Sequence, residues 1–550
     1  MMFDCAARRG NRPMLRHHRA NAWHTTTWAE FAQRTAALAR FLRAAGVAAG
    51  DRVLLVSESR PEVPMLETAL MALRAVPVPA YVTNTPEDHA HLLLDSGARV
   101  AIASTAVLAN RVLAGAALAG PLDTLFCMEP GHHTPLPPLL DDTSPPDDIA
   151  AEAATIPASA LACIIYTSGT SGLPRGVMLP HRAILSNIRG VARLAEPLHL
   201  EGSIYLSCLP LSHSYEHTVG QFILPAFGAE IVYSRGVEHL AADLVAIQPT
   251  IVTVVPRILE VIRTRIRQQT DREKPWKQRL FEHTLAAGLR RLDGRATLLD
   301  RLADPVLDRL VRARIRARFG GKIGAVISGG ARLDPEVARF FQALGISVLQ
   351  GYGQTEAGPT ISVNPPHRPR NSTVGQPLDD VRLRIADDGE ILVAGDLVMD
   401  GYWNQPEATA AAIEDGWLHT GDVGHIDAEG FLSITDRKKD IIVLSGGENV
   451  SPARIEGALM QEPGIAQAVV TGEGAAGLSA LIVPAEGGDA PAVAAAVARV
   501  NKRLSVTERV RRHALVPPFT IENGLLTPSH KIRRAAVLRS HKAALLASQG

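Results

Sequence analysis

Tyr166-Thr167-Ser168-Gly169-Thr170-Ser171-Gly172-Leu173-Pro174-Arg175-Gly176 is the stretch that decides how the chain is read. An apolar run, Leu161-Ala162-Cys163-Ile164-Ile165, leads into it with the length and composition of a buried strand. Small hydroxyl residues and glycines then alternate, and one fixed cation follows. Glycine lets the backbone turn tightly and expose its N–H groups. Hydroxyls add donors and Arg175 adds positive charge, so the loop suits a polyphosphate. The G-x-x-x-x-G-K-[ST] spacing of nucleotide-triphosphatase loops is absent. Nor does a helix open directly afterwards: Val177-Met178-Leu179 reads as extended, and helical patterning begins only near His181. A slack Ser/Gly connector has a similar composition. The buried-strand flank and the Pro174-Arg175-Gly176 exit argue against that.

The run Thr167 to Gly176 resembles the phosphate loop of the acyl-adenylate-forming superfamily. That superfamily includes acyl-CoA synthetases, luciferases and peptide-synthetase adenylation domains. Its usual residue at position 175 is Lys, and here it is Arg. Charge is kept, but a fork-shaped guanidinium is not interchangeable with a point-charge ammonium. The resemblance implies an α/β fold, with a large adenylate-forming N-terminal part of several subdomains over residues 1–436. A small, mobile α+β C-terminal domain would occupy 437–550. It also implies that Thr167, Ser168, Gly169, Thr170, Ser171, Gly172 and Arg175 bind ATP.

At 550 residues the chain is long enough for several domains with large cores. It is 46% hydrophobic and 21% charged with a formal net charge of +1, a balance that gives no general reason to expect nucleic acid. The four cysteines, Cys5, Cys127, Cys163 and Cys208, lack metal-ligand spacing and suit a reducing compartment. The N-terminus has no signal-peptide core and no run reaches transmembrane length, so a soluble cytoplasmic protein is expected. A homodimer is compatible with the sequence.

Early in the chain, strand and helix patterns alternate. Val53–Val56 and Val100–Ala103 read as strands, Val76–Val82 as extended, and Pro64–Ala75 and Glu87–Asp95 as helices. This argues for a sheet with parallel portions. Residues 129–158, rich in Pro, Asp and small residues, read as a surface connector.

Further blocks support the resemblance. Leu209-Pro-Leu-Ser-His-Ser-Tyr-Glu-His217 could suggest metal ligation, but no clean ligand pattern follows. By resemblance it lies beside the carboxylate substrate, with His213 in the acyl site. Ala325-Val-Ile-Ser-Gly329-Gly330-Ala331 reads as a strand ending in a glycine turn that a flat base can approach. Gln350-Gly351-Tyr352-Gly353-Gln354-Thr355-Glu356 offers an aromatic face, a hydroxyl and a hard oxygen ligand able to hold Mg²⁺. The resemblance gives these roles to Tyr352, Thr355 and Glu356, within an adenine and phosphate site that includes Gln350, Gly351 and Gly353. Glu390–Gly395, Met399-Asp-Gly-Tyr-Trp403 and Gly416–Asp422 match the next blocks, followed by Ser433–Lys439. Asp422 would accept from the ribose hydroxyls and Arg437 would reach ribose or phosphate. A carboxylate accepts and a guanidinium donates, so the chemistry is sensible. The bland alternative is a surface salt bridge.

Lys439 matches the family's interdomain hinge. Gly446 and Gly447 match a glycine turn near incoming coenzyme A, although Glu448 stands where some short-acid relatives carry Arg. Ser451 and Pro452 read as N-cap and first residue of a helix to Met460. Leu526-Thr-Pro-Ser-His530-Lys531-Ile-Arg-Arg534 resembles the terminal catalytic-lysine motif, giving that role to Lys531.

Between Arg257 and Lys322 the chain is strongly basic. Leu307, Leu310, Val311, Ile315 and Phe319 fall near one helical face, arginines crowd the remainder, and Gly320-Gly321 stops the helix. Such a face is either solvated or in peripheral contact with anionic lipid. A helical insertion here resembles the long-chain branch of acyl-CoA synthetases. The implied function is activation of a medium- or long-chain fatty acid as acyl-AMP, with ATP, Mg²⁺ and coenzyme A. Open alternatives are an aryl-acid ligase, transfer to a carrier-protein thiol, and a non-catalytic nucleotide- or acyl-CoA-binding regulator.

Overall fold

The computed structural model describes residues 1–129, 134–136, 144–167, 173–446, 448–485, 487–527 and 531–547. Ser168, Gly169, Thr170, Ser171, Gly172, Gly447 and His530 lie outside the described residues. Two sheets are largely or wholly parallel. In the first, Val76–Ala80, Arg52–Val56, Val100–Ala103, Thr124–Cys127 and Thr134–Pro135 pair in parallel in that order. Helices Glu62–Ala72 and Pro86–Ser96 make the crossovers that parallel strands need.

The larger sheet has nine strands. Its parallel run is Pro13–Arg19, Glu230–Tyr233, Ile204–Ser207, Ile251–Val254, Ala325–Ser328 and Val348–Gly353. Ile251-Val-Thr-Val254 is buried at every position, the near-continuous apolar run of a strand covered on both faces. Antiparallel strands close both edges. The last two parallel strands matter most, because glycine-bearing turns leave from their carboxyl ends.

Leu161–Thr167 and Arg175–Pro180 form an antiparallel hairpin, with Thr167 opposite Arg175. The helix His181–Gly190 starts only after the returning strand, as the apolar Val177-Met178-Leu179 segment predicts. A separate antiparallel sheet contains Trp417–Ile426 and Leu432–Arg437, in which Asp422 faces Arg437.

From Ile442 onward the side chains form clusters of their own. Strands Ile465–Thr471, Leu478–Pro484 and Val510–Leu515 pack with helices Pro452–Met460 and Ala490–Asn501. Ser451 caps the first of these helices by accepting from the Arg454 N–H.

Two local expectations need correction. The stretch 129–158 is not connector throughout, since Asp147–Ala154 is a helix anchored by the buried Ile149. Its acids Asp148 and Glu152 pair with Arg40 and Arg43, a tertiary support that its short pattern does not reveal. The basic section is also not one continuous face. Leu298–Leu307 carries Pro305 in its interior and passes into a π turn, Asp308–Arg312, before Ala313–Arg318. Proline removes an N–H and the wider turn shifts the register. Leu307, Ile315 and Phe319 are buried as expected, but Leu310 is turned outward and Arg312 inward. Gly320 then ends the helix at φ 85, a conformation glycine adopts without strain. Among the described residues, no helix is long and apolar enough to cross a membrane.

Candidate active site

The carboxyl ends of Ala325–Ser328 and Val348–Gly353 open on a cavity of about 1230 Å³. In open parallel sheets this is where ligands bind. Gly329, Gly330 and Ala331 line it from the first strand, and Gln350, Gly351, Tyr352, Gly353, Thr355 and Glu356 from the second. Thr167, Arg175, His213, Asp422, Arg437, Lys439 and Lys531 reach it from elsewhere in the chain. Gly353 is a steric requirement, because an added Cβ would strike the Pro359 carbonyl. Gly446 does not line the cavity, and a Cβ there would meet the Glu448 carboxylate.

One polar cluster holds Asp422. The Tyr352 hydroxyl donates to Asp422 Oδ2 at 2.7 Å and Arg437 Nε donates to Oδ1 at 2.9 Å. Asp422 is buried, although the Arg437 end of the pair is exposed. Partial desolvation works against the Arg437 charge, but the Asp422 carboxylate more than offsets it and raises the guanidinium pKa. Burial and the same carboxylate push the Tyr352 phenol up, so Tyr352 remains a neutral donor. A carboxylate has about four acceptor positions, so Asp422 retains capacity for ligand hydroxyls.

A second cluster surrounds Glu356. Tyr402 donates its hydroxyl to Glu356 Oε1 at 3.0 Å, and the Arg175 guanidinium carbon lies 5.3 Å from the Tyr402 ring centroid. Thr355 Oγ1 is 2.8 Å from Ser214 Oγ. No group of three or more metal-ligating side chains occurs among the described residues. A lone half-buried carboxylate in a cleft fits Mg²⁺, which keeps waters and takes one or two carboxylates plus substrate phosphates.

His213 sits before the short helix Ser214–Thr218, and its Nδ1 accepts from the Tyr215 N–H at 3.2 Å. Burial, then the nearby Lys531 charge, lowers its pKa to about 3. The ring is therefore neutral near pH 7, with Nε2–H as its donor. Three residues on, Glu216 receives hydrogen bonds from Tyr205, Ser207 and Thr253 in the protein interior, where burial lifts its pKa to about 7. It acts as a structural carboxyl group rather than a metal ligand.

Lys531 is fixed by a tight antiparallel bridge between Leu526 and Ile532. Its N–H donates to Thr527 Oγ1 at 3.0 Å, and its carbonyl accepts from the Thr527 N–H at 2.8 Å. Its side chain lines the cavity and is solvent-exposed. Partial desolvation in the cleft, followed by Arg437, lowers the ammonium pKa, while Asp422 and Glu356 oppose the shift.

Tyr402 and Ser214 have no role in the sequence reading, although both stand inside quoted blocks. Their bonds join positions 46 and 141 residues apart, so local spacing carries no signal of them.

The AMP-binding enzyme family matches residues 2–403, and the AMP-binding enzyme C-terminal domain matches 439–547. The chain is 34% identical to the long-chain-fatty-acid–CoA ligase FadD15 of Mycobacterium bovis, covering 94% of this chain and 90% of that protein. It is 32% identical to long-chain-fatty-acid–CoA ligase 5 of Mus musculus, covering 69% and 61% respectively. Among solved structures it resembles ATP-bound MatB from Rhodopseudomonas palustris, with TM-score 0.73, 23% identity and 98% of each chain covered. The o-succinylbenzoate coenzyme A synthetase MenE from Bacillus subtilis, in complex with AMP, gives TM-score 0.71 at 20% identity, covering 97% of each chain.

Proposed function

Since the chain belongs to the AMP-binding enzyme family and is an AMP-forming acid–CoA ligase, we propose that its acid is a medium- or long-chain fatty acid. The observation that carries this reading is the cavity's apolar wall. Val191, Leu194, Leu198, Leu200, Ile223 and Leu224 line the same cavity as His213 and Lys531. A nucleotide alone needs no such lining, and acetate would leave it unfilled. Ligand pockets commonly run to about 300–1,000 Å³, and the cavity of about 1230 Å³ suits two substrates together.

In this reading ATP lies along Gly329–Ala331 and Gln350–Gly353, with its ribose at Asp422 and Arg437. Its phosphates reach the loop from Thr167 through Ser168, Gly169, Thr170, Ser171 and Gly172 to Arg175. Thr355 joins them there. Glu356 would hold Mg²⁺, which when bound neutralises phosphate charge. His213 Nε2–H and the Lys531 ammonium orient the acid. A carboxylate oxygen attacks the α-phosphorus, the bond to pyrophosphate breaks, and acyl-AMP remains. Lys531 stabilises the negative charge as that exchange proceeds.

The division falls at residues 436 and 437, and the C-terminal part rotates about Lys439 for thioester formation. Rotation withdraws Lys531 and brings the turn at Gly446 and Gly447 toward coenzyme A. The coenzyme A thiolate then attacks the acyl carbonyl and AMP leaves. One bonding feature and one exposure are consistent with this hinge: Lys438 is tied to Asp388 and Glu390, and the next residue, Lys439, is exposed.

Pyrophosphate release and acyl-CoA formation across acids of increasing chain length test the reading. We expect kcat/KM to rise from acetate and benzoate to medium or long chains. A preference for acetate or an aryl acid would refute it, and product formed only with a carrier-protein thiol would reassign the acceptor.

A further inference from the structure

Scattered exposed apolar side chains are ordinary on a protein surface. The helix Leu298–Leu307 with its following π turn is different. Leu298, Leu299 and Leu302 are each 78% exposed, Val306 57% and Leu310 41%. Leu298, Leu302 and Val306 recur every fourth residue, the spacing of a helix ridge, and Leu310 is exposed in the π turn beyond them. A ridge of this kind normally fits into a neighbouring element, and this one faces outward.

Charge on the same helix is sorted. Asp300, Asp304 and Asp308 also recur every fourth residue, with side chains 7%, 33% and 40% exposed, and each is paired with an arginine. Asp300 accepts from Arg290 Nε at 2.8 Å, Asp304 from Arg312 Nη1 at 2.6 Å, and Asp308 from Arg316 Nη2 at 2.7 Å. Arg295, Arg301 and Arg309 are exposed and have no ion pair among the described residues. The outward face therefore combines apolar bulk with unpaired positive charge, while the three aspartates are neutralised by ion pairs. A second copy meeting this face symmetrically would bring like charges together. An anionic lipid surface complements both properties.

We infer that this helix is a membrane-docking element. It lies in the headgroup layer of a bilayer containing anionic lipid, with its leucines among the upper acyl chains and its arginines at lipid phosphates. Binding of this kind is peripheral and reversible. It requires no acid, nucleotide or conformational change, so it stands apart from the substrate assignment.

Co-sedimentation of the full chain with vesicles tests the inference, using phosphatidylcholine alone or phosphatidylcholine mixed with phosphatidylglycerol. The chain should pellet with the mixed vesicles at low salt and be released as salt rises. Arg295→Ser, Arg301→Ser and Arg309→Ser combined should weaken partitioning by about a hundredfold, taking about fivefold for each cation. Leu298→Ser with Leu302→Ser should weaken it by about tenfold or more. Thermal midpoints of both variants should match the wild type, because every altered side chain is exposed. Wild-type chain remaining in the supernatant with mixed vesicles at low salt would overturn the inference. So would folded variants that pellet like the wild type. A dimer seen by light scattering and abolished by the leucine substitutions would overturn it in favour of a second copy.

Discussion

Arg437 and Asp422 meet in the cleft at 2.9 Å, and Arg312 and Asp304 meet in the helical section at 2.6 Å. The distances differ little, but the surroundings are reversed. In the cleft the carboxylate is the sheltered partner, and the Arg437 side chain is 45% exposed. In the helical section the Arg312 side chain is 1% exposed and is held between Asp304 and the Ala343 carbonyl. Arg437 thus keeps donors free for a ligand, whereas Arg312 is a clamp between segments. The same two residue types bind substrate in the function proposed for the cleft and fasten helices in the other place. Exposure of the cation, rather than bond length, separates the roles.

The clamp should give the largest effect on stability. Arg312→Ala empties a buried guanidinium site and strips the Ala343 carbonyl of its donor, while Asp304, 33% exposed, keeps Arg291, a loss of about 1–3 kcal/mol. Arg312→Ala should therefore lower the denaturation midpoint while leaving the ATP KM of the folded enzyme unchanged. Arg437→Ala should reduce kcat/KM for ATP and cost less stability, because the Asp422 carboxylate left behind still accepts from Tyr352 and faces the cleft. Equal loss of stability in the two variants would break the comparison.

Lys531 sharpens it from the chemical side. Lys531→Ala should slow acyl-AMP formation by about a hundred- to a thousandfold, the scale of losing one preorganised donor. Thioester formation from supplied acyl-AMP should survive. Partial desolvation in the cleft and Arg437 lower the Lys531 pKa, so its charge is present below that pKa and lost above it. Adenylation should fall as pH rises, with a midpoint below the ordinary lysine value of about 10.4. Lys531→Arg should keep its charge and remove that decline. His213, with a pKa of about 3, stays neutral across the working range and should contribute no inflection. Loss of both half-reactions in a folded Lys531→Ala variant would end the two-arrangement mechanism.

Legibility followed the same division. Gln350–Glu356 and Lys531 are singled out by resemblance, and residues of both stretches line one cavity. The strand Leu161–Thr167 and the delayed helix at His181 followed from apolar runs and their limits. Contacts created by topology could not be read, as with Ser214 beside Thr355. In the helical section, composition identified helices but not their orientation. Pro305 and the π turn at Asp308–Arg312 separate Leu310 from the buried Leu307 and Ile315, and no simple period anticipates that break. The helix Asp147–Ala154 was similarly obscured, because its arginine partners lie in a different helix.

The smallest effects concern Tyr402, which tests whether a cleft residue can act solely through another. Glu356→Gln removes the negative oxygen from the proposed Mg²⁺ position and should slow adenylation by about two orders of magnitude. Tyr402→Phe keeps the ring beside Arg175 but removes the hydroxyl that orients Glu356. A hydrogen bond to a charged group contributes about 1.5–3 kcal/mol, and cleft water can replace part of it, so a slowing of about tenfold or less is expected. The Mg²⁺ concentration for half-maximal rate should rise, and added Mg²⁺ should recover much of the activity. In Glu356→Gln, saturating Mg²⁺ should not restore the rate. Titrating Mg²⁺ at fixed ATP therefore separates ligand from positioning residue. An unchanged Mg²⁺ midpoint in folded Tyr402→Phe would leave Tyr402 only its packing against Arg175.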